Sequence, residues 1–195
     1  MLRNATVCLV IVFGVMTGVT RGQQGKPVDP PPRAEDDGPS LAETTKFIQR
    51  KLSELNKVNY LIYVHNNQNG IDYSESRVDE LTSVQANAIV CTISYHWKTT
   101  NNGKINDDQN YHFELKDVIA IDVLSGEQDQ KETDTQQGHP EYSYRLDPPI
   151  FVLKVRRPNN ILNAFAFYRE DDANRTAKAL NHAVELCGGG NKDPF

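Results

Sequence analysis

The chain has 195 residues, a net charge of −5 from 21 Lys+Arg against 26 Asp+Glu, and 38% hydrophobic residues. That is room for one domain of ordinary size, without the basic excess of a general nucleic-acid binder or the apolar poverty of a disordered chain. Twelve glycines and ten prolines exclude a collagen repeat, and three cysteines exclude a disulfide-dense miniature fold.

A lone Arg3 precedes the uncharged stretch Ala5 to Val19, which is shorter than a membrane-spanning helix requires. Residues 1–22 therefore read as a secretory signal, cut after Gly22, with Thr20 and Gly22 as the small residues a signal peptidase accepts. An uncleaved anchor is the alternative. Cleavage removes Arg3, Arg21 and Cys8, leaving an acidic chain of net charge about −7, secreted or periplasmic, with no stable membrane span. Residues 23–39 carry Pro27, Pro30, Pro31, Pro32 and Pro39 and read as a disordered polyproline tether, either bare spacer or ligand for an aromatic groove.

The folded part, residues 40–187, opens on Ser40-Leu41-Ala42-Glu43, a capping box that predicts a helix to about Asn56. Leu41, Phe47, Ile48, Leu52 and Leu55 give that helix one apolar stripe. Alternation then predicts half-buried antiparallel strands at Tyr60/Ile62/Val64, Ile89/Cys91/Ile93/Tyr95/Trp97, Tyr111/Phe113/Leu115, Ile119/Ile121/Val123, Phe151/Leu153/Val155 and Phe165/Phe167. With a polar strand over Tyr73 to Thr82 the total is about seven. Pro158 to Asn160 marks a turn between the last two strands. Ala173, Ala177, Leu180, Val184 and Cys187 recur at helical spacing, predicting a helix from Asp171 to Leu186 that stops at Gly188-Gly189-Gly190. Residues 188–195 read as a flexible tail.

Seven antiparallel strands followed by one amphipathic helix resembles the pleckstrin-homology-like superfold. The resemblance covers Asn59 to Cys187, including the Phe113-Glu114-Leu115-Lys116-Asp117-Val118 passage and Phe165-Ala166-Phe167-Tyr168 leading into the last helix. It implies a mainly β, bent sandwich or open barrel capped by the C-terminal helix, here with an extra N-terminal helix. Superfold members that bind phosphoinositides use a basic loop after the first strand, whereas Asn66 to Glu75 contains no Lys or Arg, so no phosphoinositide binding is expected. The ending Glu185-Leu186-Cys187-Gly188-Gly189-Gly190 resembles that of uncharacterised secreted bacterial proteins.

Cys91 and Cys187 both fall on apolar faces. In an exported protein an even pair is expected to form a disulfide; two buried thiols are the alternative. A three-residue hairpin at Asn101-Asn102-Gly103 would set Phe113 opposite Cys91 and His96 opposite Asp108, with Ser94 on the same polar face. That group has no oxyanion hole or nucleophile elbow in its local sequence, so the expectation is a charge pair and not a hydrolase. His65, His96, His112, His139 and His182 lack zinc-site spacing, the closing glycines do not precede a helix, and Asp129 to Asp134 lacks a calcium-loop pattern. No metal or cofactor is expected. Asn174-Arg175-Thr176 is a sequon that lies in a helix and matters only in a eukaryotic host.

Ser125 to Pro149 has six acidic residues against Lys131 and Arg145 and no core pattern. It reads as a solvated excursion, or as a partner-binding loop using Tyr142, Tyr144 and Arg145. Arg156-Arg157 are a further candidate contact for an acidic group. The sequence thus points to an exported, non-enzymatic module binding a protein or peptide partner beside its last helix. The competing readings are a Ser94/His96/Asp108 hydrolase and a structural envelope component.

Overall fold

A computed structural model describes residues 38–190. The signal and cleavage-site expectations, most of the tether and the last five residues lie outside the described residues. The order is α1 (Leu41–Leu55), β1 (Lys57–Asn66), β2 (Asp72–Asn87), β3 (Thr92–Asn101), β4 (Lys104–Glu114), β5 (Ala120–Ser125), α2 (Gly126–Gln136), β6 (Tyr142–Asp147), β7 (Phe151–Arg157), β8 (Ile161–Phe167) and α3 (Glu170–Leu186). The strands form two antiparallel sheets, β4-β3-β2-β1-β6 and β5-β7-β8, which do not close into a barrel. The protein is mainly β, with helices at both ends of the described chain. No helix among the described residues is long and apolar enough to cross a membrane.

The local signals work as the physics requires. Ser40 Oγ accepts from Glu43 N–H at 3.3 Å while Glu43 Oε2 accepts from Ser40 N–H at 2.9 Å, so two orphan amides of α1 are satisfied reciprocally. Ile48 and Leu52 of α1 and Ala173, Leu180 and Ala183 of α3 are fully buried in one cluster with Ile93, Phe113, Leu153, Val155, Phe165 and Phe167. A second cluster joins Val58, Tyr60, Ile62 and Val64 of β1 to Leu146, Ile150, Val152 and Ala166.

The excursion at Ser125 to Pro149 is not a loop. It contains an extra helix, α2, and an eighth strand, β6, which pairs antiparallel with β1 from Leu61↔Asp147 to Asn66↔Tyr142. Its first turn carries a second capping box, Ser125 with Gln128. Only Gly126 of α2 is buried, and a Cβ there would stand 2.5 Å from Leu146 and 2.7 Å from Ile150. Polar contacts anchor the helix. Lys154 of β7, 6% exposed, meets Asp129 at 2.7 Å and Glu132 at 3.2 Å, and Leu146 N–H donates to Glu127 Oε1. A helix without an apolar stripe leaves no periodic trace, which is why the sequence reads as irregular there.

Two further expectations change. Strand β3 begins at Thr92, and Ile89, 94% exposed, lies in a turn where Asn87 Oδ1 accepts from the amides of Ile89 and Val90. The β3–β4 hairpin turns through two residues, Asn102 and Gly103, both at positive φ, and a bulge at Thr99/Thr100 then shifts the register. Ile93 therefore faces Phe113, Tyr95 faces Tyr111, and His96 faces Asn110 in place of Asp108. The bulge restores the apolar faces that a bare two-residue turn would have mixed.

Cys91 and Cys187 form a disulfide, with Cα atoms 5.9 Å apart and a sequence separation of 96. Closing so long a loop stabilises the fold by roughly 4 kcal/mol on the chain-entropy estimate. Replacing both cysteines with alanine is expected to cost about that much, read as the fall in guanidinium midpoint; an unchanged midpoint would contradict the assignment. Asp129→Ala leaves the Lys154 ammonium buried with one carboxylate and is expected to destabilise by about 3 kcal/mol. Amide exchange should then rise first in α2.

Candidate functional site

The His96–Asp108 pair forms diagonally across the corrected register, with His96 Nε2 3.1 Å from Asp108 Oδ1. The other ring nitrogen, Nδ1, lies 3.5 Å from Thr82 Oγ1. Both nitrogens are engaged, and Ser94 sits opposite His112 and Gln85. The arrangement is a partly exposed cross-strand His–Asp pair, and among the described residues no hydrogen bond joins the Ser94 hydroxyl to either histidine.

Arg156 and Arg157 point to opposite faces of sheet β5-β7-β8. Arg156 forms an ion pair with Asp122 on β5. Arg157 donates from Nε to Asn163 Oδ1 at 3.1 Å and lies 5.6 Å over the Phe113 ring. Asn163 in turn donates to Tyr95 Oη at 2.6 Å, inside the core. Burial pushes the Tyr95 phenol up to about 12. Arg156 is exposed and ion-paired, Arg157 is half-buried over the core, and they do not join Tyr142, Tyr144 and Arg145 in one site.

Of those three β6 residues only Arg145 faces outward. Tyr142 and Tyr144 pack on the second core cluster, Tyr142 meeting Tyr73 edge to face at 6.5 Å. The Tyr144 hydroxyl is enclosed without a hydrogen-bond partner among the described residues. The Arg145 guanidinium lies 4.1 Å over the Tyr63 ring. Beside it an open trough of about 550 Å³ crosses β2, β1 and β6, with His65, Asp72, Ser74 and Ser143 along it. His65 Nδ1 is 2.6 Å from Asp72 Oδ1.

The feature the sequence does not mark residue by residue is an open strand edge. Strand β5 is one of the two outer strands of its sheet, β8 being the other. Gly126 N–H donates to Ile150 O at 2.8 Å, and Ser125 N–H turns aside to Gln128 Oε1. The two-residue alternation of an antiparallel ladder then aims the backbone N–H and C=O of Ile121 and Val123 away from β7. Two grooves flank this edge. One, of about 450 Å³, runs between Val118, Ile119 and Ala120 and the Asn181, Val184 and Glu185 face of α3. The other, of about 430 Å³, lies between Leu124 and the Gln128, Lys131 and Thr135 side of α2. At the mouth of the first groove Gly190 N–H donates to Val118 O at 3.2 Å. Ile119 is 50% exposed there. Among the described residues no three His, Cys, Asp or Glu side chains converge as metal ligands.

No family model, curated protein or solved structure matches this chain.

Because the folded-state pKa of Tyr95 lies above its ordinary value of 10.0, the native state holds this proton more tightly than the unfolded chain. The associated stability is complete below pH 10 and drains away as pH rises toward about 12. Alkaline titration should show part of the tyrosinate absorbance appearing together with loss of the far-ultraviolet β signal. A smooth absorbance rise centred at pH 10 with the fold intact would contradict this.

Proposed function

We propose that this chain is an exported, non-enzymatic interaction module of pleckstrin-homology-like architecture, which binds an extended peptide segment of a protein partner along β5, beside α3. The architecture is supported by the element order. With α2 and β6 taken as an insertion, a four-strand meander, three further strands and a closing helix remain. The observation that carries the binding reading is the edge of β5 next to the last helix, which has no partner strand among the described residues. An added strand satisfies the outward amides and carbonyls of Ile121 and Val123, and its side chains fall alternately toward the α3 groove and the α2 groove. The signal-like pattern of residues 1–22 supports the export part of this reading.

The test begins with peptides selected from a random display library against the full chain and measured by fluorescence anisotropy. Ile119→Glu should weaken a selected peptide at least about tenfold, equivalent to 1.4 kcal/mol, while His96→Ala leaves it unchanged. Amide exchange at Ile121 and Val123 should be fast in the free protein and protected in the complex. Selected peptides that leave both amides unprotected, or that ignore Ile119→Glu, would overturn the assignment.

A further inference from the structure

We propose that the trough across β2, β1 and β6 is a second binding site, independent of the β5 edge, and that its ligand is a neutral saccharide. The ladder sets Tyr63 opposite Ser74 and Arg145, and His65 opposite Asp72 and Ser143. Six polar or aromatic side chains therefore stand on one sheet face around an opening of about 550 Å³, within the range of small-molecule sites.

The charges decide the class of ligand. Arg145 has no carboxylate partner among the described residues, and its guanidinium lies 4.1 Å over the Tyr63 ring. Its planar fork of donors lies over that ring and is open to further hydrogen bonds. Asp72, with its side chain 77% exposed, gives one oxygen to His65 Nδ1 at 2.6 Å, and its other oxygen is open as an acceptor. A free anion would be drawn to Arg145 but would meet Asp72 and, two residues from Arg145 on the same face, Asp147. A free cation would meet Arg145. Neighbouring hydroxyls of a sugar engage both at once, accepting from the guanidinium and donating to the carboxylate. Ser74 and Ser143 can serve in either sense. With Nδ1 engaged by Asp72, His65 keeps Nε2 for a further hydrogen bond.

The site is also held ready. Asn66 Oδ1 accepts from the amides of Gln68 and Asn69, and Asn66 N–H donates to Ile71 O. Asn67 donates to Glu141 O from both its backbone N–H, at 3.0 Å, and its side-chain amide, at 2.6 Å. The β1–β2 loop and the start of β6 are thereby tied together at the end of the trough. The backbone at that end of the trough is therefore already in place when a ligand arrives. The trough is shallow and open to water, which suits a hydrated ligand held in the millimolar range.

The full chain, labelled with ¹⁵N, is titrated separately with maltotriose, cellotriose and chitotriose to about 20 mM, and with glycylglycine and inorganic phosphate as charged comparators. Expected are saturable shifts at Tyr63, His65, Asp72 and Arg145 with at least one trisaccharide. Asp72→Asn and Arg145→Ala should each weaken them about tenfold, and unchanged resonances in α1 and α3 should show that both variants fold. No saturable shift with any trisaccharide would overturn the proposal, as would binding indifferent to both variants or tighter binding of either charged comparator. Loss of peptide binding at Ile121 and Val123 would leave this result untouched.

Discussion

Strand β7 is buried on both of its faces, and the rest of the fold is arranged around that constraint. Val152, Leu153, Lys154 and Val155 are successive buried residues. Leu153 and Val155 face the main cluster with α1, α3 and the inner side of β3 and β4, while Val152 faces the second cluster under β1 and β6. A strand in that position reads as a continuous apolar run, and Lys154 is the exception. A buried ammonium without carboxylates would be costly. Asp129 and Glu132 supply them from α2, so a helix with almost no buried surface of its own is nonetheless fastened to the centre of the molecule.

A related polar group lies within the first sheet. Asp79 is 5% exposed and accepts from Thr99 Oγ1 at 2.7 Å, Arg77 Nε at 3.0 Å and Tyr60 Oη at 3.1 Å. The Tyr60 phenol is driven above its ordinary range, by burial first and by Asp79 second. Satisfied networks of this kind fix one arrangement of strands, because a register shift would strand each partner in an apolar interior.

Two open sheets leave free edges, and they are treated unequally. The outer edge of β4 carries Lys104, Asn106, Asp107, Asp108, Gln109 and Asn110, the polar and charged residues that discourage another chain from pairing. Strand β8 is tied to the start of β1 through Tyr168, whose hydroxyl meets both the amide and the carbonyl of Asn59. Strand β5 has Ile121 and Val123 at its outward backbone positions, and grooves stand on either side of it. The same backbone chemistry that makes an edge a liability makes this one suited to an extended partner.

The sequence by itself determined the elements whose signal is local. The Ser40/Glu43 box, the period-2 runs from Tyr60 to Val64 and Phe151 to Val155, the spacing from Ala173 to Val184 and the cysteine pair were all legible. So, in retrospect, were the Ser125/Gln128 box and the Tyr142/Tyr144/Leu146 alternation, which the charge of the intervening residues obscured. Only the tertiary structure decided which side chains meet. The Thr99/Thr100 bulge reset the partners of His96, β6 turned Tyr142 and Tyr144 inward and Arg145 onto Tyr63, and strand order left one edge of β5 without a partner strand among the described residues. Cap and period depend on neighbours three or four residues away, whereas register, edge and trough depend on which distant strands come to lie side by side.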